Sequence, residues 1–268
     1  MDLDGTLLND AKEITPGNRE ALERTLKRGH GVIITTGRPL KSALAQAVRL
    51  GLNKPGCYVV AYNGAIVYDW SKQDKVFSCT LEIPAVIRLF EKANELGEHI
   101  QTYDSFDVLV EARGDDEAVR RYCQMVSMTY RVIGDVHTDL RERPVKCLVI
   151  NYENKEGLLK MQQWIRENMA EMDCFFSCEQ FLEVVPKGMN KGEAVKMLCQ
   201  RLGVSIENAV AAGDAANDLA MLKAAGIGAA MSNGTDEVKA VADYITTRDN
   251  NHDGVAEIAD RFFYEDAQ

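Results

Sequence analysis

The chain of 268 residues can bury roughly three quarters of its unfolded surface, so a stable core needs no disulfide or metal staple. Its net charge is −10 and it has no Lys/Arg cluster, which excludes nucleic acid as the main partner because a phosphate-backbone binder needs the opposite balance. No run approaches 18 consecutive apolar residues, and the acidic N-terminus has no basic-then-apolar leader pattern, so a cytoplasmic chain without a membrane partner is expected.

Along the chain, apolar runs alternate with helical patterns, which predicts an α/β fold with parallel strands. After the opening MDLDGT, Thr15-Pro16 leads into a helix ending near Lys27. GVIITT reads as a buried strand ending at Gly37-Arg38-Pro39, and Pro39 suits a helix start, where its missing N–H costs nothing. CYVVAY is a second strand ending in the turn signal Asn63-Gly64, and a hairpin is expected over AIVYDW and KVFSC. From residue 83 to 182 the texture changes. Helices over 84–97, 115–127 and 155–169, strands near 100–111, VKCLVI, and two strands near 174–185 predict a self-contained α/β insert. The first pattern then returns, with a helix from about Lys191, a strand at AVAAGD, a helix over AANDLAMLKAAG, strands IGAAM and DYIT, and a final helix at 254–263. The expectation is a Rossmann-like parallel-sheet core of residues 1–82 and 183–268, split by an inserted α/β domain of residues 83–182.

In open parallel α/β sheets ligands bind beyond the carboxyl ends of the strands, and four polar motifs fall at such ends. In Asp2-Leu3-Asp4-Gly5-Thr6, residues two apart on a strand face the same way, so both carboxylates can enter one site. Paired like charges fit an acid/base couple or a divalent metal, and a surface turn is the plain alternative. Thr35-Thr36-Gly37 offers a hydroxyl and main-chain N–H groups near a helix start, suited to an oxyanion or to simple capping. Lys187 and Lys191 flank a helix start, where the macrodipole disfavours a cation unless an anion sits there; Lys191, on the turn itself, is the better candidate. Gly213-Asp214, with Asn217 and Asp218 in the next turn, offers oxygen ligands of the kind that suit Mg²⁺, although acidic residues also stabilise a first helical turn. The seven cysteines are odd in number, scattered through apolar stretches and without zinc spacing, so buried, reduced thiols are expected. His30, His99, His137 and His252 make no metal pattern, and GIGAAM lacks the third glycine of a dinucleotide fingerprint.

The order D-x-D-G-T, T-G-R, Lys, G-D-x-x-N-D resembles the haloacid dehalogenase superfamily of phosphohydrolases. EVVPKGMNKGEAV, GDAANDLAML, AMSNGTDEVKAVADYIT and DGVAEIA are similar to its Cof-type branch, and the insert lies between the second and third motifs as in that branch, where it forms a cap over the active site. The resemblance implies a Mg²⁺-dependent phosphatase of small phosphorylated metabolites, sugar phosphates being the commonest class. It implies Asp2 as nucleophile forming an aspartyl-phosphate and Asp4 as general acid and base. It also implies Mg²⁺ on the Asp2 carboxylate, the Asp4 main-chain carbonyl and Asp214, with Asp218 in support, and phosphoryl oxygens on Thr36, Gly37, Lys191 and Asn217. Arg38 is expected to be structural, and Asn233 and Asp253 to form loops. Specificity is expected on insert side chains such as Tyr103, Asp104, Phe106 or Arg113. A phosphomutase and a catalytically impaired binding protein remain alternatives. Members carry an apolar strand leading into the first aspartate, as a central parallel strand requires, whereas only Met1 precedes Asp2 here. The expectation is that the natural reading frame extends upstream.

Overall fold

A computed structural model describes residues 1–264. The elements are α1 (Pro16–Lys27), β1 (Val32–Thr35), α2 (Leu40–Arg49), β2 (Cys57–Ala61), β3 (Ile66–Asp69) and β4 (Asp74–Ser78). Next come α3 (Ile83–Leu96), β5 (His99–Tyr103), β6 (Val108–Glu111), α4 (Glu117–Val126), β7 (Tyr130–Ile133), α5 (Val136–Asp139), β8 (Cys147–Ile150), α6 (Glu156–Asn168), β9 (Met172–Cys178) and β10 (Phe181–Pro186). The chain continues through α7 (Lys191–Leu202), β11 (Val210–Gly213), α8 (Leu219–Ala224), β12 (Ile227–Ala230), α9 (Asp236–Lys239), β13 (Tyr244–Ile245) and α10 (Gly254–Ala259).

These elements form two compact units: Met1–Phe77 with the chain from Asn190 onward, and Ser78–Met189. The insert is thus wider than the expected 83–182. The whole of β10 pairs with β9, Pro186 lying opposite Met172, so the expected boundary at 182 would cut through a hydrogen-bonded strand.

In the two-segment unit, β1 and β2 are parallel, as are β11, β12 and β13. Every residue of β2 is buried, the pattern of a strand covered on both faces. Valines such as Val59 and Val60, fully removed from water, contribute about 1.5–3 kcal/mol each. The two sheets meet at Met1 and Asp2. The Met1 amino group donates to Ile33 O at 2.9 Å, Thr35 N to Met1 O at 2.8 Å, and Asp2 N to Ala212 O at 3.0 Å. Asp2 is therefore clamped between β1 and β11. A cavity of about 660 Å³ also lies in this unit, with Met1, Ile33, Tyr58, Val195, Ala211 and Val255 among its lining residues.

The insert is one six-stranded sheet, ordered β7-β6-β5-β8-β10-β9, antiparallel except for the β6–β7 pair. Alternation along the central strands sends Ile100, Cys147, Val149, Leu182 and Val184 into a core with Phe90, Leu158 and Met161 from α3 and α6. Three local readings change. The edge strand β7, short and with exposed Arg131 and Val132, gave no apolar run in the sequence. The AANDLAMLKAAG stretch begins as a single 3₁₀ turn over Ala216–Asp218 before α8. All seven cysteines are free as expected, but Cys178 is exposed and Cys79 and Cys174 are half-buried, because Cys178 ends β9 at a hairpin turn.

Candidate active site

Asp2, Asp214 and Asp218 meet at the carboxyl ends of the strands, each offering a carboxylate oxygen within 4.8 Å of the others. Asp2 arrives from the clamp between β1 and β11. Asp214 follows directly on β11, and Asp218 closes the turn into α8. Lys191, the first residue of α7, is fully buried among them and donates to Asp2 Oδ1 and Asp218 Oδ1, both at 2.6 Å. The placement that the macrodipole disfavours is offset by these two anions. Asn190 caps α7 by accepting from Glu193 N. Lys187 instead pairs, on the surface, with Asp173 of the insert.

The remaining oxygens are allocated unevenly. Asp218 Oδ2 accepts from the main-chain N–H groups of Asp214 and Ala215, both at 3.1 Å, so its carboxylate is fully occupied in holding Lys191 and the turn. Asp214 Oδ1 accepts from Thr6 Oγ1 at 2.7 Å. Among the described residues, Asp2 Oδ2 and Asp214 Oδ2 have no protein donor. Gly5, at φ +84°, lies so close that a Cβ there would come within 2.4 Å of Asp214 Oδ2. Asn233 Nδ2 donates to Gly5 O at 2.8 Å and its Oδ1 accepts from Asn250 N, which staples this turn from the far side. Asp253, at φ 64°, accepts from Asn18 N and joins α10 to α1.

Three carboxylates crowd around the Lys191 ammonium here, an excess of acidic groups in a largely buried pocket. Burial, with Asp218 and Asp214 adding to it against Lys191, pushes the Asp2 carboxyl up to about 7. Burial and Asp218 likewise raise Asp214 to about 6, against the Thr6 hydrogen bond. Burial works against charge on Lys191, yet Asp2 and Asp218 outweigh it and hold its pKa above the ordinary range. An all-oxygen donor set with an excess of acidic groups and two open carboxylate oxygens fits a hard divalent cation.

Asp4 faces elsewhere. Arg38 clasps its carboxylate with a two-pronged fork, Nε to Oδ2 at 2.8 Å and Nη2 to Oδ1 at 2.7 Å, and Lys12 adds a third contact at 3.0 Å. Burial alone would raise the Asp4 pKa, but the fork and Lys12 bring it down to about 2. Thr36 follows β1, its N–H on Val60 O at 2.8 Å and its Oγ1 accepting from Arg38 N. Asn217 Nδ2 reaches Asn63 Oδ1 at 3.4 Å. The residues that sequence reasoning did not place at this site are Thr6, Lys12, Asn63 and Asn190. Arg38 was given no specific partner. Thr6 lay inside the quoted motif, whereas Asn63 showed only as a turn residue.

In the insert, Tyr103 is buried and donates to Tyr122 Oη at 2.8 Å, and Asp104 pairs with Arg131. Phe106 stands 69% exposed in the β5–β6 connection, and Arg113 lies beside Glu111.

A parallel sheet whose strand ends gather these motifs defines a phosphohydrolase fold of the haloacid dehalogenase type. Residues 1–258 match the family described as haloacid dehalogenase-like hydrolase, and the chain belongs to it. A crystal structure of a haloacid dehalogenase-like hydrolase from Bacteroides thetaiotaomicron superposes with a TM-score of 0.88 at 34% identity, covering 98% of this chain and 97% of that one. The 5-amino-6-(5-phospho-D-ribitylamino)uracil phosphatase YitU of Bacillus subtilis (strain 168) is 29% identical over 98% of this chain and 96% of its own. The pyridoxal phosphate phosphatase YbhA of Escherichia coli (strain K12) is 28% identical over 96% of this chain and 95% of its own. The enzyme class is that of a phosphatase, a phosphoric monoester hydrolase. No described helix is long and apolar enough to cross a membrane.

Proposed function

We propose that the protein is a Mg²⁺-dependent phosphatase of small phosphorylated metabolites that works through an aspartyl-phosphate on Asp2. The observation that carries this reading is the convergence of Asp2, Asp214, Asp218 and Lys191 at the strand ends, with two carboxylate oxygens left open. Asp2, Asp214 and the Asp4 main-chain carbonyl would hold Mg²⁺, with Asp218 supporting through Lys191 and the turn. The ion supplies the charge neutralisation without which a carboxylate cannot approach a phosphate dianion. Thr36, the Gly37 N–H, Lys191 and Asn217 bind the transferring phosphoryl oxygens, preorganised against the charge that develops there.

In the first half-reaction the Asp2 carboxylate attacks phosphorus, the ester P–O bond breaks, and the leaving oxygen takes a proton from Asp4. In the second, Asp4 takes a proton from water, the hydroxide attacks phosphorus, and inorganic phosphate leaves a free Asp2. The Arg38 fork must open for Asp4 to carry that proton. We infer further that the insert is the cap and sets the choice of substrate. The relatives' substrates, a ribitylaminouracil phosphate and pyridoxal phosphate, support a small phosphorylated metabolite rather than a protein.

The test is turnover of p-nitrophenyl phosphate with Mg²⁺ by the wild type and by Asp2→Asn. The variant is expected to lose at least ~10⁴-fold in kcat while remaining folded; equal rates would remove Asp2 as nucleophile. A panel of phosphorylated metabolites then ranks substrates.

A further inference from the structure

Asn63 pays twice for its position. Its backbone is held in the left-handed region, at φ 54°, between Tyr62 at φ 52° and Gly64 at φ 115°. Asparagine tolerates that region better than most residues, yet such a run persists only where the surroundings impose it. Its side chain is 1% exposed, and Nδ2 has no hydrogen-bond partner. A buried unpaired donor is uncommon and calls for an explanation beyond turn formation.

The surroundings supply one. Tyr62 N donates to Arg38 O at 3.1 Å and Asn63 N to Thr36 O at 3.0 Å, so the turn is laced to the main chain on both sides of Gly37. The end of the Asn63 amide abuts that glycine, where a Cβ would come within 3.1 Å of Nδ2 and 3.2 Å of Oδ1. Gly64 presses on the helix start that carries Lys191, since a Cβ there would sit 2.4 Å from Asn190 O. Asn63 Oδ1 is the acceptor facing Asn217 Nδ2 at 3.4 Å, a long contact of the kind that tightens when a ligand binds. One three-residue turn therefore touches the Thr36–Gly37 loop, Asn217 and the start of α7.

We propose that Asn63 is a positioning residue for phosphoryl transfer. Its Oδ1 takes one hydrogen of the Asn217 amide and aims the other at the phosphoryl oxygens, while the end of its amide, packed against Gly37, holds that stretch of main chain in place. This rests on the reading of Thr36, Gly37, Lys191 and Asn217 as the phosphoryl-binding set. Asn63 holds no proton that moves and forms no bond to substrate; its effect passes through Asn217 and Gly37.

The experiment separates the side chain from the turn. Asn63→Gly keeps a residue at ease in the left-handed region but deletes the amide. All rates are read with p-nitrophenyl phosphate and Mg²⁺ at a temperature where circular dichroism shows every variant folded. The expected result for Asn63→Gly is a fall in kcat on the order of 10- to 100-fold, with KM nearly unchanged and orthovanadate inhibition weakened in parallel. Asn217→Ala and the double variant Asn63→Gly/Asn217→Ala are expected to be equally slow, because the two amides act as one unit. Wild-type kcat and vanadate inhibition in Asn63→Gly would overturn the proposal, as would a double variant whose loss equals the product of the two single losses. Asp2→Asn runs alongside. Activity surviving in that variant counts against the phosphatase reading, whereas a fully active Asn63→Gly beside an inactive Asp2→Asn counts against Asn63 alone.

Discussion

The two units each bury a lysine against carboxylates, and the two arrangements are built to different purposes. In the insert, Lys146 (1% exposed) meets Glu183 (4%) at 2.7 Å. The other Glu183 oxygen accepts from Ser177 Oγ at 2.9 Å, so one charge answers one charge and both carboxylate oxygens are satisfied. In the two-segment unit, Lys191 answers two carboxylates directly and three in all, which leaves the pocket negative and two oxygens open. A balanced, saturated pair specifies packing. An unbalanced cluster stores a demand for a cation, and that demand is visible as the raised pKa values of Asp2 and Asp214.

The comparison breaks most visibly at Lys191. Lys191→Met is expected to lower kcat by about 10²–10³-fold, as removal of a preorganised charge does, and to destabilise by about 3–5 kcal/mol because Asp2 and Asp218 are left buried together. Steady-state kinetics and urea unfolding check the two parts. Lys146→Met should cost a similar 3–5 kcal/mol, but here Lys146→Met/Glu183→Leu should recover most of the loss, since the pair is balanced. A double variant no more stable than the single one would show that the insert pair is not self-contained. Magnesium sharpens the contrast from the other side. At 100 times its Kd the ion should add about 2.7 kcal/mol to the wild type and almost nothing to Asp214→Asn, read as a shift in thermal midpoint, while Lys146→Met should keep the full response. The smallest effect is expected at the staple under the acidic turn. Asn233→Ala removes the hydrogen bond to Gly5 O and should cost about 1–2 kcal/mol, with Mg²⁺ affinity falling because the Asp4–Thr6 turn is less fixed.

Much of this was legible in the sequence. Short, mostly apolar runs precede three of the four polar motifs and mark them as strand ends, whereas only Met1 precedes the first. The buried cation was foreseeable from a lysine at a helix start, which needs an anion nearby. The edge strand β7 was not legible, because an edge strand exposes half its residues and leaves no apolar run. Nor was Arg38 as the partner of Asp4. They are 34 positions apart in the chain, and only the turn after β1 brings the fork onto that carboxylate.

The sequence by itself determined most of the elements, the class of fold and the identity of the polar residues, since periodicity and turn chemistry are local. Tertiary structure decided how those residues divide their work. It turned Asp4 away from the acidic cluster onto Arg38, saturated Asp218 with Lys191 and two main-chain N–H groups, and left one oxygen each on Asp2 and Asp214. It also turned an ordinary Asn-Gly turn signal into a strained contact beneath Gly37 and beside Asn217. These are questions of which lone pair meets which donor across separations of tens to hundreds of residues, and a linear pattern carries no such distance.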